Sequence, residues 1–269
     1  YLSGGRSGPL LRRSISNWNV VWASALILSY LAAGPVIATG PGLVFLVLGG
    51  LHIASIALLF WFSPTPAEHV HESHEGCPPV YARLLVTFRM LLPMAYVVCS
   101  ALGSLLPGLV KATGVPEKFA LPVAAAWLIA RVATFRLFAA WQGWHGRWFV
   151  AILGGTSLLV GFAITVLSPS LLRTEGSTLH LPALVGLVTG LLIFGFGMAT
   201  IYSAAIYYAM EVGQSEVNAG GTHEALIGLG YTIGPLIGLL ASLAFPPVDP
   251  ATLARVHTIV LIAVAIIGL

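Results

Sequence analysis

An all-α polytopic membrane protein is the fold class this sequence predicts, and three observations predict it. Charged residues make up only 8% of the 269 residues and hydrophobic ones 58%, against roughly 25% charged in soluble domains. So few charges cannot cover a water-soluble globule of this length, and lipid must replace water over most of the surface. Apolar runs of about 20 residues, the length that crosses roughly 30 Å of hydrocarbon, recur along the chain. Two of these runs also echo one another. ALILSYLAAGPVIA from Ala25 and ALIGLGYTIGPLIG from Ala225 match without gaps at Ala25/Ala225, Leu26/Leu226, Ile27/Ile227, Gly34/Gly234, Pro35/Pro235 and Ile37/Ile237.

Taken in order, about eight transmembrane helices are expected, over 16–38, 41–62, 80–106, 121–141, 148–168, 182–210, 223–245 and 252–269. Gly40-Pro41-Gly42 makes the turn between the first two, Gly213 and Gly220-Gly221 separate the sixth from the seventh, and Pro246-Pro247 closes the seventh. The echo therefore joins the first span to the seventh. Six helices apart is the spacing of a parallel repeat of six-helix halves, a transporter architecture. The chain begins without Met and stops at Gly268-Leu269 inside an apolar run, so it reads as incomplete at both ends. The first 14 residues are rich in Gly and Arg rather than apolar, unlike a cleavable signal peptide.

Lys and Arg in the short loops set the orientation. Arg6, Arg12, Arg13 and Arg147 lie on the side of the amino terminus, with Arg83 and Arg136 just inside helix ends, while Lys111, Lys118 and Arg173 lie opposite. This places the amino terminus in the cytoplasm of a protein integral to the cell (cytoplasmic) membrane. The one substantial polar connection, 63–79, is then a cytoplasmic linker between a remnant bundle, 1–62, and a six-helix bundle, 80–269. Its His69, His71 and His74, with Glu72 and Glu75, have ligand chemistry for a transition metal. Their irregular spacing and the lack of a second cluster favour a solvated linker, so no metal and no cofactor is expected. Replacing the three histidines by Ala should leave transport nearly unchanged. Two cysteines, Cys77 and Cys99, cannot make a disulfide framework. The scattered net charge of +3 does not suggest nucleic acid as a partner.

These features together resemble the major facilitator superfamily, from its helix five to its helix twelve: eight helices, a cytoplasmic linker after the second, and related Gly-Pro helices six apart. The Gly34-Pro35 and Gly234-Pro235 helices match that family's helices five and eleven. GWHGRW at 143–148 resembles its degenerate Gly-x-x-x-Asp-Arg-x-Gly-Arg loop at Gly143, Gly146 and Arg147 only, with the acidic residue absent. The resemblance implies a transporter fold in which the helices 80–106 and 182–210 line a central cavity. It also implies that four preceding helices of the same protein are a partner of this chain, which by itself is not expected to transport.

Ionisable side chains inside membrane helices are costly and usually face a cavity or the bundle interior. Arg89 lies nine residues into the third span and Arg131 ten into the fourth, which puts both about 15 Å deep at ~1.5 Å per residue. Tyr96 is seven residues from Arg89 and Trp127 four from Arg131, each on the arginine's own helix face. Two guanidinium groups with aromatic neighbours suit an anionic, partly planar solute, by paired hydrogen bonds and stacking. The bland alternative has each Arg bonded to backbone carbonyls or reaching for an interface.

Tyr202 joins the candidate site by family position, whereas Tyr207 and Tyr208 read as an interfacial belt. Glu224, behind Thr222 at the expected start of the seventh span, complements a helix dipole, and with His223 is a candidate for proton coupling at interfacial depth. Gly230, Gly234 and Gly238 are spaced for close helix contact. Pro35 and Pro235, beside Gly34 and Gly234, mark a kink or hinge.

The expected function is secondary transport of a small solute, such as an organic anion, by alternating access through the lipid bilayer. The rivals are a membrane-embedded lipid-modifying enzyme, which would need His, Asp or Glu clustered at aligned helix ends, and a metal-responsive sensor built on the 63–79 loop. No enzyme is expected. A primary pump is disfavoured because no GxxxxGK[ST] loop is present.

Overall fold

The computed structural model describes residues 8–65, 78–174, 176–212 and 217–244. Among them are eight α-helices and no strand: α1 (Gly8–Thr39), α2 (Pro41–Leu58), α3 (Pro79–Ala112), α4 (Ala120–Ala124), α5 (Ala126–Ala140), α6 (Phe149–Leu171), α7 (Leu181–Val212) and α8 (Val217–Ala244). Short 3-10 turns, Leu59–Trp61 and Glu117–Phe119, follow α2 and precede α4. Six helical stretches are long and apolar enough to cross a membrane, namely α1, α2 with its turn, α3, α4–α5, α6 and α7. The protein is thus an all-helical, multi-pass membrane protein. α8 is a further helix of 28 residues, laid along α3. The expected eighth span, 252–269, and linker residues 66–77, with His69, His71, His74, Glu72 and Glu75, fall outside the described residues.

Several expected boundaries move for physical reasons. α3 continues past residue 106 to Ala112 with Pro93 and Pro107 inside it. Each proline deletes one backbone bond, but ending a helix in hydrocarbon would orphan several. The span expected at 121–141 is instead broken at Ala125, where α4 ends and α5 begins. α8 starts at Val217, not 223, and runs through Gly220-Gly221. Two interior glycines cost about 1 kcal/mol each, offset by burial of Ala219 and His223 on the inner side of the same helix. Thr222, His223 and Glu224 therefore lie inside α8 and do not cap it.

α7 is the hub, contacting α6, α5, α3 and α8. Its seam with α6 is made of glycines two turns apart on each helix: Gly154 and Gly161 face Gly197 and Gly190 at near backbone-to-backbone distance. The seam between α3 and α8 is similar. A Cβ on Gly230 would lie 2.6 Å from the Pro93 carbonyl oxygen, and one on Gly234 2.7 Å from that of Val97. The Ser100 hydroxyl crosses this seam to the Gly230 carbonyl oxygen at 3.3 Å. α8 stays helical through Pro235. Gly34, by contrast, sits in loose contact with Leu121, and the side chain of Pro35 and the surroundings of Gly238 lie outside the description.

α1 rests on α4 and α5, and α2 packs on α1 with its apolar side chains outward, Phe45 and Leu46 among the most exposed. In lipid that exposure is the low-energy arrangement. Although they belong to consecutive spans, α3 and α5 are not packed along one another. The gap between them holds the features described next.

Candidate functional site

Arg131 on α5 is the largest fully buried side chain, at 1% exposure. The face that carries it also carries Trp127 one turn before and Phe135 one turn after, a helical i±4 row. The guanidinium carbon lies 5.9 Å from the Trp127 ring and 5.5 Å from Phe135. Two further rings close the cage, Trp22 of α1 at 4.6 Å and Tyr202 of α7 at 5.1 Å. Trp22 is itself held by its indole N–H donating to the Asn19 side-chain oxygen at 3.1 Å. From across the gap, the Tyr96 hydroxyl of α3 accepts a hydrogen bond from Arg131 Nη2 at 3.0 Å. Arg131 has no acidic partner among the described residues, and its Nε is buried without any hydrogen bond.

Four of the five residues singled out from the sequence for solute binding thus converge: Arg131, Tyr96, Trp127 and Tyr202. Arg89 is not brought to them. It is half-buried and makes no hydrogen bond, ion pair or ring contact among the described residues. Its depth was expected to equal that of Arg131, with α3 and α5 adjacent. Instead Arg131 is level with Tyr96, seven residues and so ~10 Å along α3 from Arg89.

His223 is 3% exposed. Its ring stands edge-on to Tyr202 at 5.0 Å, and its Nε2 has no hydrogen-bond partner. Protein, not solvent, encloses the imidazole. Glu224, on the next position of α8, is exposed but near enough to interact electrostatically with Tyr96 and Tyr202.

Sequence reasoning missed Trp22, Asn19 and Phe135. The signals were available as spacing. Asn19 and Trp22 are an i, i+3 pair capable of hydrogen bonding inside an apolar run, and Phe135 repeats after Arg131 the interval by which Trp127 precedes it.

A cavity of about 740 Å³ fills the gap between α3 and α4–α5, reaching Lys111 and Glu117 at one end and Trp127, Phe194 and Tyr231 at the other. Its walls are mostly apolar, with Tyr30, Leu106 and Leu121 among them. The inner end abuts the arginine cage, since Trp127 belongs to both and Tyr231 packs edge-on against Tyr96 at 5.0 Å. A volume of this size accommodates a small organic solute.

The opposite end of the bundle is shut by aromatic rings. Trp144 stacks on Phe138 at 5.0 Å, His145 stacks on Tyr207 at 4.2 Å, and Tyr81 meets Tyr208 edge-on at 5.2 Å. The Tyr208 hydroxyl accepts the Gly146 N–H at 2.9 Å. Tyr207 and Tyr208 are buried, so the interfacial belt expected of them is corrected: they bind the 141–148 loop to α7 and α3. That loop's glycine is used for its backbone, with φ +70° at Gly146.

Gly195 sets the position of the cage wall. A Cβ there would run into the Trp127 carbonyl group, coming within 2.9 Å of Trp127 Cα. Because that neighbour is backbone next to the break at Ala125, it can give only by shifting α5. Gly195→Ala is expected to keep the fold and to blue- or red-shift Trp127 emission relative to the parent. An unchanged spectrum, read against a Trp127→Phe control, would show that α5 does not move.

No protein-family model, no curated protein and no solved structure matches this chain.

Proposed function

We propose that this chain is the solute-binding part of a secondary transporter, moving a small organic anion across the membrane by alternating access. The observation that carries the reading is Arg131, a fully buried guanidinium without an acidic partner among the described residues, behind the Trp127 wall at the inner end of a solute-sized cavity. A buried cation is costly unless an anion completes it, and four aromatic rings with one phenol hydroxyl supply only part of what a carboxylate would. Access from one end, with the other closed by the Tyr81–Trp144–Tyr208 cluster, is what alternating access asks of any single state. The internal echo and the resemblance to major facilitator helices five to twelve support the same reading. Tyr96, Trp127 and Tyr202 then shape the site. Arg89, nearer the opposite end of α3, meets the anion when the site opens to that side. Gly230 and Gly234 allow α8 to slide along α3, and Gly34-Pro35 with Gly234-Pro235 mark the related helices of the two halves.

Anion binding tests this without requiring transport. The 269-residue chain in lipid nanodiscs should bind benzoate with quenching of tryptophan emission, and the quenching should shrink in Trp22→Phe and Trp127→Phe. Benzamide, of equal shape and no charge, should bind at least tenfold more weakly. Equal binding of the two would overturn the reading.

A further inference from the structure

Arg131 Nε and His223 Nε2 are the two buried side-chain polar atoms without a hydrogen-bond partner among the described residues. They come from different helices, α5 and α8, yet flank the same side chain. The guanidinium carbon is 5.1 Å and the imidazole ring 5.0 Å from the Tyr202 ring. Buried polar groups are paired in the great majority of cases, so two orphans on one tyrosine indicate a shared missing partner. We propose that Arg131 and His223 form a two-point site for the carboxylate of an amphipathic monoanion, with Arg131 Nε donating to one oxygen and His223 Nε2 to the other. This rests on the anion-binding reading above and adds to it the second anchor and the class of ligand.

The class follows from charge and shape. One guanidinium faces the site, so one negative charge neutralises it, and Arg89 contributes none there. Arg131 and His223 lie behind the cavity's lining, so the carboxylate head reaches them by displacing Trp127, the residue that cage and cavity share, while the apolar body stays in the cavity lined by Leu106, Leu121 and Phe194. An aryl carboxylate fits both halves. A phosphate, with more oxygens than the site has free donors and no apolar body, fits neither.

The arrangement also links ligand to proton. Without the anion, His223 sits near an uncompensated Arg131. With the carboxylate bound, that repulsion is cancelled and an attraction replaces it, so binding favours the imidazolium. By reciprocity, protons then favour binding. The other titratable or charged groups facing this centre are Tyr202 of α7, Tyr96 and Cys99 of α3, Arg131 of α5 and Tyr231 of α8, with Glu224 of α8 exposed but near enough to act electrostatically on Tyr96 and Tyr202. Among these side-chain types, imidazole is the one whose ordinary range lies between pH 6 and 8.

Benzoate affinity of the 269-residue chain in nanodiscs should therefore tighten by at least threefold from pH 8 to pH 6, with calorimetry in buffers of different ionisation enthalpy showing net proton uptake. In His223→Gln, an amide donor remains but the proton site is gone. Benzoate should still bind, more weakly, with the pH dependence and the proton uptake both lost. Inorganic phosphate should not compete. Benzoate binding without proton uptake in the parent protein, or a pH dependence that survives His223→Gln, would overturn the His223 anchor and leave the Arg131 reading standing. Effective competition by phosphate would overturn the aryl carboxylate class. Failure of the folded protein to bind benzoate at all would remove the Arg131 reading and this inference with it.

Discussion

Arg131→Gln is expected to weaken benzoate binding by about a hundredfold or more, and Arg131→Lys by roughly tenfold. Truncating one partner of a buried, hydrogen-bonded charge pair costs about 2–5 kcal/mol, and each 1.4 kcal/mol is about tenfold in affinity. Lys keeps the charge but concentrates it at one atom. It cannot face Tyr96 and a carboxylate at once in the plane that Arg131 Nη2 and Nε provide. Neither change should abolish folding, because opposing effects of similar size are removed together. Burying a charge costs several kcal/mol. Against this stand a charged hydrogen bond of about 1.5–3 kcal/mol and cation–π contacts worth about 2 kcal/mol when desolvated. Circular dichroism and thermal melting of the variants should therefore resemble the parent within a few degrees, while titration with benzoate separates them. If both variants bind benzoate as the parent does, Arg131 is a structural cation and the proposed site is wrong.

How much of this was legible in the sequence depends on what each feature rests on. Spans were legible because each is a local sum of apolar residues, which is why α1, α2, α6 and α7 fall close to their expected places. Ends were less so. Gly220-Gly221 read as breakers by local propensity, but the burial of Ala219 and His223 overrode it, and α3 runs past its expected end through Pro107 because stopping in hydrocarbon would orphan backbone groups. Arg131 with Trp127 was readable because both are on one helix face. Tyr96 and Tyr202 were named too, one on the helix face of Arg89 and the other by family position, but Trp22 was not, because it comes from another helix and nothing local reports which helices face one another. The same ignorance misplaced Arg89. Chain succession made α3 and α5 neighbours, whereas they stand apart around a cavity. His223 was seen but not its burial, because the helix start expected at 223 lies six residues earlier, at Val217.

Gly161→Leu is expected to be the most damaging single change in the described bundle, removing most of the folded protein. At this position of α6 a Cβ would run into the Phe194 backbone N–H, 2.7 Å from Phe194 Cα and 2.8 Å from the Gly190 carbonyl oxygen. All three are backbone of α7, so no rotamer change relieves the clash and the two helices must separate. Overpacking a core ordinarily costs about 1–3 kcal/mol. Here separation would also loosen the contacts of Gly154 with Ile201 and of Gly197 with Leu158, along the same seam. Without a hydrophobic force between helices in lipid, close packing is what holds them, and α7 is the helix that carries Tyr202 to Arg131. The control lies on the same helix. Gly155 has nothing within 4 Å of where its Cβ would be, and Gly155→Ala should be neutral or stabilise the helix by up to about 1 kcal/mol. Monodispersity on size-exclusion chromatography and the melting temperature in detergent give the comparison. Gly161→Leu melting within a few degrees of Gly155→Ala would mean that α6 and α7 do not pack backbone to backbone as described.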